Sequence, residues 1–298
     1  MSGELNLGRI APALADVVSR RRHRFSGVPW LSLLILTVIV VMGVVGNWMV
    51  PHNPRAMNLA ATFRPPAWLP KGSLTYLIGT DNMGRDILSR IIAGAHVPLV
   101  IAFYAILLSG LIGSAVGIVS GYFGGLIDAL LMRLVDIQMS IPALALALLL
   151  AAVLTPGLGT VIVVISATYW TWYARIIRGE VISLKERDYI ALAKVAGVGT
   201  FTIFRRHLVP NIFNTLLVLA TLQVGQTVIF EAGLSFLGLG VQTPDISWGL
   251  MLADGRNNVA TAWWLITFPG LAIMVTCLAA NVIGDWLRDT FDPRRRQA

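Results

Sequence analysis

The sequence predicts an all-α membrane protein, a polytopic helix bundle with six transmembrane helices and both termini in the cytoplasm. The 298 residues are 56% hydrophobic and 13% charged, whereas ordinary soluble domains are about 45–50% apolar and about 25% charged. Six stretches are apolar enough to cross a bilayer, and basic residues concentrate on one side of them. A single cysteine excludes a disulfide-stapled secreted domain, and the apolar runs lack the alternation of a β-barrel.

A spanning helix needs about 20 mostly apolar residues. We expect the six spans at Trp30–Val50, Val97–Ser120, 127–153, Leu158–Ile177, Ile212–Phe230 and Trp263–Ile283. The third span is the least uniform, because its first half carries Asp128, Arg133 and Asp136. Arg133 and Asp136 lie three residues apart, so we expect them to pair on one helix face. The expected domains are a cytoplasmic tail (1–29), a transmembrane domain (30–290) and a second, basic cytoplasmic tail (291–298).

The distribution of lysine and arginine orients the bundle. Most of the 23 basic residues fall in the two tails and in the loop 178–210, and an excess of Lys and Arg marks the cytoplasmic side. We therefore place both termini and this loop inside. Nucleic-acid binding is the alternative interpretation of the +8 charge, but these residues flank membrane spans.

Residues 51–96 form the longest outer segment. Its first part is rich in proline and is expected to be irregular. Asp81–Gly94 has apolar residues at helical spacing, with Arg85, Asp86 and Arg90 on the other side. We expect a short amphipathic helix capped by Thr80-Asp81 that lies on the membrane or against the bundle. The alternative is a capped helix that only leads into the second span.

Small residues recur every four positions along the second span, at Ser109, Gly113, Gly117, Gly121 and Gly125. On a helix they share one face and allow another helix to approach closely. The pattern predicts tight packing but leaves open whether the partner helix belongs to this chain or to another subunit.

The inner loop 178–210 is too long and too regular for a simple connector. Ser183-x-x-Glu186 predicts a capping box, and good helix formers follow until Gly197, a natural helix stop. Phe201–His207 is expected to form a second short helix, with Pro210 in the first turn of the fifth span. Two interpretations remain open, a docking site for a cytoplasmic partner and a surface helix that holds anionic lipid.

This loop carries a resemblance to a known motif. Ala191-Leu192-Ala193-x-x-x-Gly197, then nine residues, then His207-x-Val209-Pro210 resembles the EAA loop of ABC importer permeases. The spacing matches throughout. Ala191 stands where the motif has glutamate, and His207 stands where it has isoleucine.

Further segments resemble the dipeptide/oligopeptide/nickel group of these permeases, and within it the second permease of the pair. They are Gly79-Thr80-Asp81-x-x-Gly84-Arg85-Asp86-x-Leu88-Ser89-Arg90, Gly121-Tyr122-Phe123-Gly124-Gly125, Met132-Arg133-x-x-Asp136, Leu234-Ser235-Phe236-Leu237-Gly238-Leu239-Gly240, Trp248-Gly249, Phe268-Pro269-Gly270 and Asn281-x-x-Gly284-Asp285-x-x-Arg288-Asp289-x-x-Asp292-Pro293. Together these segments cover about residues 30–296.

The resemblance implies a type I ABC importer permease fold in the bacterial inner membrane. It implies three kinds of partner: a second permease, two ATP-binding subunits that hold ATP and Mg, and an extracytoplasmic binding protein. We expect no cofactor, metal site or enzymatic activity in this chain. None of Lys71, Lys185 and Lys194 follows a glycine as a Walker loop requires, so the ATPase is expected on a partner. Di- or oligopeptides are the expected cargo; nickel chelates, glutathione, opines and oligosaccharides are the alternatives.

Two sets of candidate residues follow. The coupling set, expected to contact the ATPase subunits, is Arg187, Asp188, Tyr189, Ala191, Ala193, Gly197, Arg205, Arg206 and Pro210. The path set holds polar groups inside spans, which are costly there and therefore functional candidates: Gln138, Asn214, Thr221, Gln223, Gln226 and Glu231. Each of these could instead bond a neighbouring helix, and Glu231 could cap a turn or pair with an arginine. Cys277 is expected to serve packing. A secondary transporter or an intramembrane enzyme is the remaining alternative.

Overall fold

The structure is a computed structural model that describes residues 27–291. Almost all of the two predicted cytoplasmic tails therefore lies outside the described residues. The described part is helical, with two isolated β-bridges at Ser73–Tyr76 and Thr80–Asp86.

Helices make up most of the described chain, apart from a long, mostly non-helical stretch between Met49 and Ile87. They are α1 (Trp30–Met49), α2 (Ile87–Gly94), α3 (His96–Phe123), α4 (Gly125–Met139), α5 (Ala143–Val153), α6 (Leu158–Lys185), α7 (Asp188–Val195), α8 (Thr200–Ile203), α9 (Val209–Phe236), α10 (Trp248–Gly255) and α11 (Trp264–Phe291). A π-helical turn, Phe204–Leu208, joins α8 to α9, and short 3₁₀ turns lie at Leu59–Ala61 and Arg256–Asn258.

Within residues 27–291, five helical stretches are long and apolar enough to cross a membrane, and the count becomes six if the bent pair α4–α5 is one span. This confirms a polytopic all-α membrane protein. The expected third span, 127–153, is broken in its middle, because α4 and α5 meet at a bend of 87°. Pro142 explains the bend, since proline disfavours helical backbone at the residue before it.

The α3–α6 pair forms the centre of the bundle. A Cβ atom on Gly117 would lie 2.7 Å from the Ala174 carbonyl oxygen of α6, and one on Gly121 would lie 2.9 Å from the Arg178 carbonyl. A Cβ atom on Gly113 would likewise overlap the Trp170 carbonyl oxygen of α6. The small-residue face therefore packs within this chain, which settles the open question. Gly125 takes no part: it starts α4 and has open space around its Cα atom.

Ion pairs join α4 to α6. Arg178 pairs with Asp128, and Arg175 pairs with Asp136. The predicted Arg133–Asp136 pair is therefore wrong. Asp136 reaches the neighbouring helix instead of its own, and Arg133 has no ion pair within residues 27–291.

The outer segment differs from its prediction in two ways. Its helix, α2, begins at Ile87, and the Asp86 carboxylate caps it by accepting a hydrogen bond from the Ser89 N–H at 3.0 Å. Thr80 and Asp81 precede the helix as part of the loop. The expected polar face is also wrong, because Arg85 and Arg90 are buried against the bundle. The α2 helix thus lies against the bundle and leads into α3.

Candidate functional site

The inner loop, residues 186–208, is mostly helical but does not begin with a capping box. Ser183 lies in the last turn of α6, which continues to Lys185, and no side chain caps α7. The predicted capping box was wrong, because α6 continues through Ser183 and no new helix begins there. Gly197 ends α7 as expected. Its φ of +74° is left-handed backbone that favours glycine, and the Val198 N–H donates to the Ala193 carbonyl at 3.0 Å.

The second part of the loop runs into the fifth span without a break. The predicted helix Phe201–His207 is divided between α8 and the π-helical turn 204–208, and Pro210 lies in the first turn of α9. At the other end, only Glu186 and Arg187 separate α6 from α7. The loop is therefore joined to two spans by short connections.

One side of the loop is anchored in the bundle. Ile190 of α7, Ile203 of α8 and Leu208 are buried in one apolar cluster with Ile177, Val181 and Ile212 of the spans α6 and α9. The Tyr122 ring of α3 packs edge-on against Phe204 with ring centroids 4.8 Å apart. Burial of this kind couples a displacement of the loop to the helices that it joins.

The other side of the loop presents apolar side chains to its surroundings. Leu192, Val195 and Phe201 are 68%, 89% and 76% exposed, and we call these three residues the inner apolar surface. Apolar groups exposed together outside a bilayer mark a protein or membrane contact.

The coupling set lies on the same loop as this surface, with Pro210 in the first turn of α9. All of its members are exposed except the half-buried Ala193: Arg187, Asp188, Tyr189, Ala191, Gly197, Arg205, Arg206 and Pro210. The three arginines form no ion pair within residues 27–291.

The path set does not converge on one site. Gln138 of α4 donates to the carbonyls of Ala167 and Thr168 at 2.6 and 3.2 Å and accepts from the Trp170 indole at 2.8 Å. Its amide is therefore satisfied by α6, which is the structural alternative foreseen for it.

The remaining members of the path set lie on α9. Asn214 and Gln226 are exposed, Thr221 bonds to carbonyls of its own helix, and Gln223 is buried. Gln223 and Gln226 thus do not share an environment. Glu231 is 1% exposed and accepts a hydrogen bond from the Ser235 hydroxyl at 2.8 Å. It has no arginine partner within residues 27–291.

A buried charge cluster between the outer segment and α10 was not predicted from the sequence. The Asp81 carboxylate accepts from Arg85 Nε at 2.6 Å and also from Arg90. Both arginines reach Asp254 of α10, with Nη2–Oδ2 distances of 3.1 Å for Arg85 and 3.3 Å for Arg90. This cluster fastens the outer segment to the segment that follows the fifth span.

Comparisons with known proteins agree with this architecture. Residues 113–297 match the family described as binding-protein-dependent transport system inner membrane component. A putative peptide transport system permease protein of Brucella suis is 39% identical over 89% of this chain and 87% of its own length. The dipeptide transport system permease protein DppC of Bacillus subtilis is 38% identical (93% and 85%), and the nickel transport system permease protein NikC of Escherichia coli is 36% identical (88% and 93%).

Proposed function

The chain belongs to the family of inner membrane components of binding-protein-dependent transport systems, and from that membership we propose that it forms, with a second permease, the pathway of an ATP-driven importer. The named relatives are transport permeases rather than enzymes. The sequence lacks a Walker lysine, so ATP and Mg are held by partner ATPase subunits. A binding protein outside the membrane delivers the solute.

The observation that carries the proposal is the two-sided inner loop. Ile190 anchors α7 in the bundle, while the inner apolar surface faces outward. A groove on an ATPase subunit that covers Leu192, Val195 and Phe201 would remove apolar area from water, which favours association by about 25 cal/mol per Å². Since the loop has no flexible link to α6 or α9, movement of the ATPase subunits is passed to both spans.

We assign di- or oligopeptides as the cargo class. Support comes from the peptide and dipeptide permeases among the relatives. The nickel permease at 36% identity favours a nickel chelate as the second candidate.

The proposed orientation places the inner loop and both termini in the cytoplasm. The positive-inside pattern supports it. Thr202→Cys in a Cys277→Ala background should react with a membrane-impermeant maleimide only in inverted vesicles. Reaction in intact spheroplasts would reverse the orientation.

Co-purification tests the proposal most directly. The chain is expressed with its chromosomal neighbours and isolated in mild detergent through a tag on this subunit. We expect a second permease and Walker-containing subunits to accompany it, and ATP-dependent dipeptide uptake once the binding protein is added to proteoliposomes. A complex that transports without any ATPase would overturn the proposal. Titration of the binding protein with dipeptides and with nickel chelates separates the two cargo classes.

Substitutions on the inner apolar surface test the coupling role. Val195→Asp places a charge at the most exposed member and should abolish co-purification of the ATPase subunits. Val195→Ile is the matched control and should retain them, since it keeps the side chain apolar. Normal ATPase recovery with Val195→Asp would contradict the assigned docking surface.

A further inference from the structure

Residues 63–77 of the outer segment, which we call the outer lobe, are folded rather than loosely connected. The Arg64 N–H donates to the Thr80 hydroxyl and the Thr80 N–H donates to the Arg64 carbonyl, both at 2.9 Å. Within the lobe, the Ala67 N–H donates to the Leu77 carbonyl at 3.0 Å. The buried charge cluster that begins at Asp81 fixes the base of the lobe, so its surface has a defined position.

The surface of the outer lobe is basic and apolar. Arg64 and Lys71 are exposed, and no aspartate or glutamate occurs between His52 and Thr80. Trp68 is 61% exposed and Leu74, at the tip of the turn 73–76, is 84% exposed. The combination of lysine, arginine and tryptophan with exposed apolar groups is typical of a surface that contacts anionic lipid.

The depth of the lobe follows from its contact with α11. The Trp68 ring packs edge-on against Phe268 with centroids 6.1 Å apart, and Trp263 packs on the same ring at 5.9 Å. Phe268 lies one turn inside α11, a candidate spanning helix, about 6 Å below its first residue at a rise of 1.5 Å per residue. Trp68 therefore lies beside the first turn of this candidate span.

The face of α11 below this aromatic group is suited to lipid. Leu271, Met274 and Leu278 are exposed along one stripe and carry no polar group. Tryptophan at the end of such a stripe is typical of the interfacial belt of membrane proteins. Arg64 and Lys71 lie close to Trp68 in the sequence and in the same folded lobe.

We propose that the outer lobe binds anionic lipid headgroups of the outer leaflet. Arg64 and Lys71 contact the phosphates, while Trp68 and Leu74 lie at the boundary with the acyl chains. Charge complementarity selects lipids of the phosphatidylglycerol type over zwitterionic lipids, by about fivefold for each basic residue near the surface. The inference rests on the span assignment and on the proposed orientation, and it is independent of the transported solute.

The test uses the full-length chain, with the subunits that accompany it, in nanodiscs. A Cys277→Ala background receives Leu74→Cys, which is labelled with an environment-sensitive fluorophore. Quenching by phosphatidylglycerol and by phosphatidylcholine, each spin-labelled near the glycerol, gives the relative association of the two lipids with the lobe. We expect a preference for phosphatidylglycerol of up to about 25-fold, from about fivefold for each of the two basic residues, that is lost in Arg64→Gln/Lys71→Gln and retained in Arg64→Lys/Lys71→Arg.

Other outcomes overturn the proposal. Equal quenching by both lipids would show that charge does not select the contact. No quenching, together with a spectral change when the purified binding protein is added, would assign the lobe to a protein partner. If Arg64→Gln/Lys71→Gln does not fold, the salt dependence of the unaltered protein is the test. Its preference for phosphatidylglycerol must decrease when the salt concentration is raised from about 0.05 to about 0.5 M, because the Debye length shortens.

Discussion

Arg178 on α6 donates two hydrogen bonds to the carboxylate of Asp128 on α4, from Nε at 2.5 Å and from Nη2 at 2.6 Å. The Ser120 hydroxyl at the end of α3 donates to the same carboxylate. One carboxylate thus ties together three helices. This matters because α4 buries little apolar surface of its own, with Val135 its single fully buried residue.

Loss of this pair should destabilise the bundle. Arg178→Gln removes the guanidinium group that donates two hydrogen bonds to the Asp128 carboxylate. We expect a loss of about 1–2 kcal/mol, because the pair is charge-assisted but only partly buried. The loss should appear as a thermal midpoint lowered by a few degrees for a chain of this size, measured by fluorimetry in detergent.

Arg133→Gln is the matched control for that change. Arg133 lies on α4 itself, is exposed and has no ion pair within residues 27–291. Its neutralisation should leave the thermal midpoint within about one degree of the unaltered protein. An equal loss in both variants would mean that net charge, and not the Asp128–Arg178 pair, sets the stability.

Close approach of α3 and α6 gives a second prediction. A Cβ atom on Gly113 would lie 2.5 Å from the Tyr173 Cβ atom and would overlap the Trp170 carbonyl oxygen. Gly113→Ala should therefore separate the helices and cost about 1–3 kcal/mol of stability. Gly110→Ala is the control on the same helix, since its Cβ atom would lie 3.7 Å from the Tyr173 ring. If both variants melt alike, tight α3–α6 packing is contradicted.

The spans were predictable because they depend on local composition. Twenty apolar residues in a row need no knowledge of their neighbours, and α1 was therefore found to within one residue. The bend between α4 and α5 was missed although Pro142 was visible, because averaged hydropathy hides a single backbone break. The helix start at Ser183 was wrong because the span before it continues past the box.

The candidate sites were predictable only in part, because they depend on distant residues. The buried Arg85 depends on Asp254, which is 169 positions away along the chain. Gln138 depends on backbone carbonyls of α6, which no motif indicates. The glycines of α3 were recognised from their spacing, but only the packed bundle places α6 against them. The roles of the coupling and path sets stay predictions.

Asp81 should contribute more to the stability of the outer segment than Asp254, the other acidic residue of the buried charge cluster. Asp81→Asn would leave the two buried guanidinium groups of Arg85 and Arg90 with one carboxylate, that of Asp254. One positive charge would then be buried without a compensating negative charge, which costs about 3–5 kcal/mol. We expect the outer lobe to open, so that trypsin cleaves faster after Lys71, which is followed by Gly72, whereas Arg64 is followed by proline and is not a trypsin site. Limited proteolysis in nanodiscs followed by mass spectrometry measures this directly.

Asp254→Asn is the control for the cluster. The Asp254 side chain is 33% exposed, and its loss leaves Asp81 in contact with both arginines. Cleavage in the outer lobe should therefore rise much less than with Asp81→Asn. Faster cleavage with Asp254→Asn would identify α10, rather than Asp81, as the main fastening of the outer segment.

The half-buried Gln138 and the buried Gln223 should respond in opposite directions to the same substitution. Gln138→Met removes three hydrogen bonds between α4 and α6 and should lower the thermal midpoint. Gln223→Met removes an amide whose Nε2 atom has no hydrogen-bond partner within residues 27–291, so the midpoint should stay or rise, because an unpaired buried amide is a cost. If Gln223→Met is instead the more destabilising change, its amide bonds a group outside this chain, and a crosslinker at residue 223 in the assembled complex should then capture that partner.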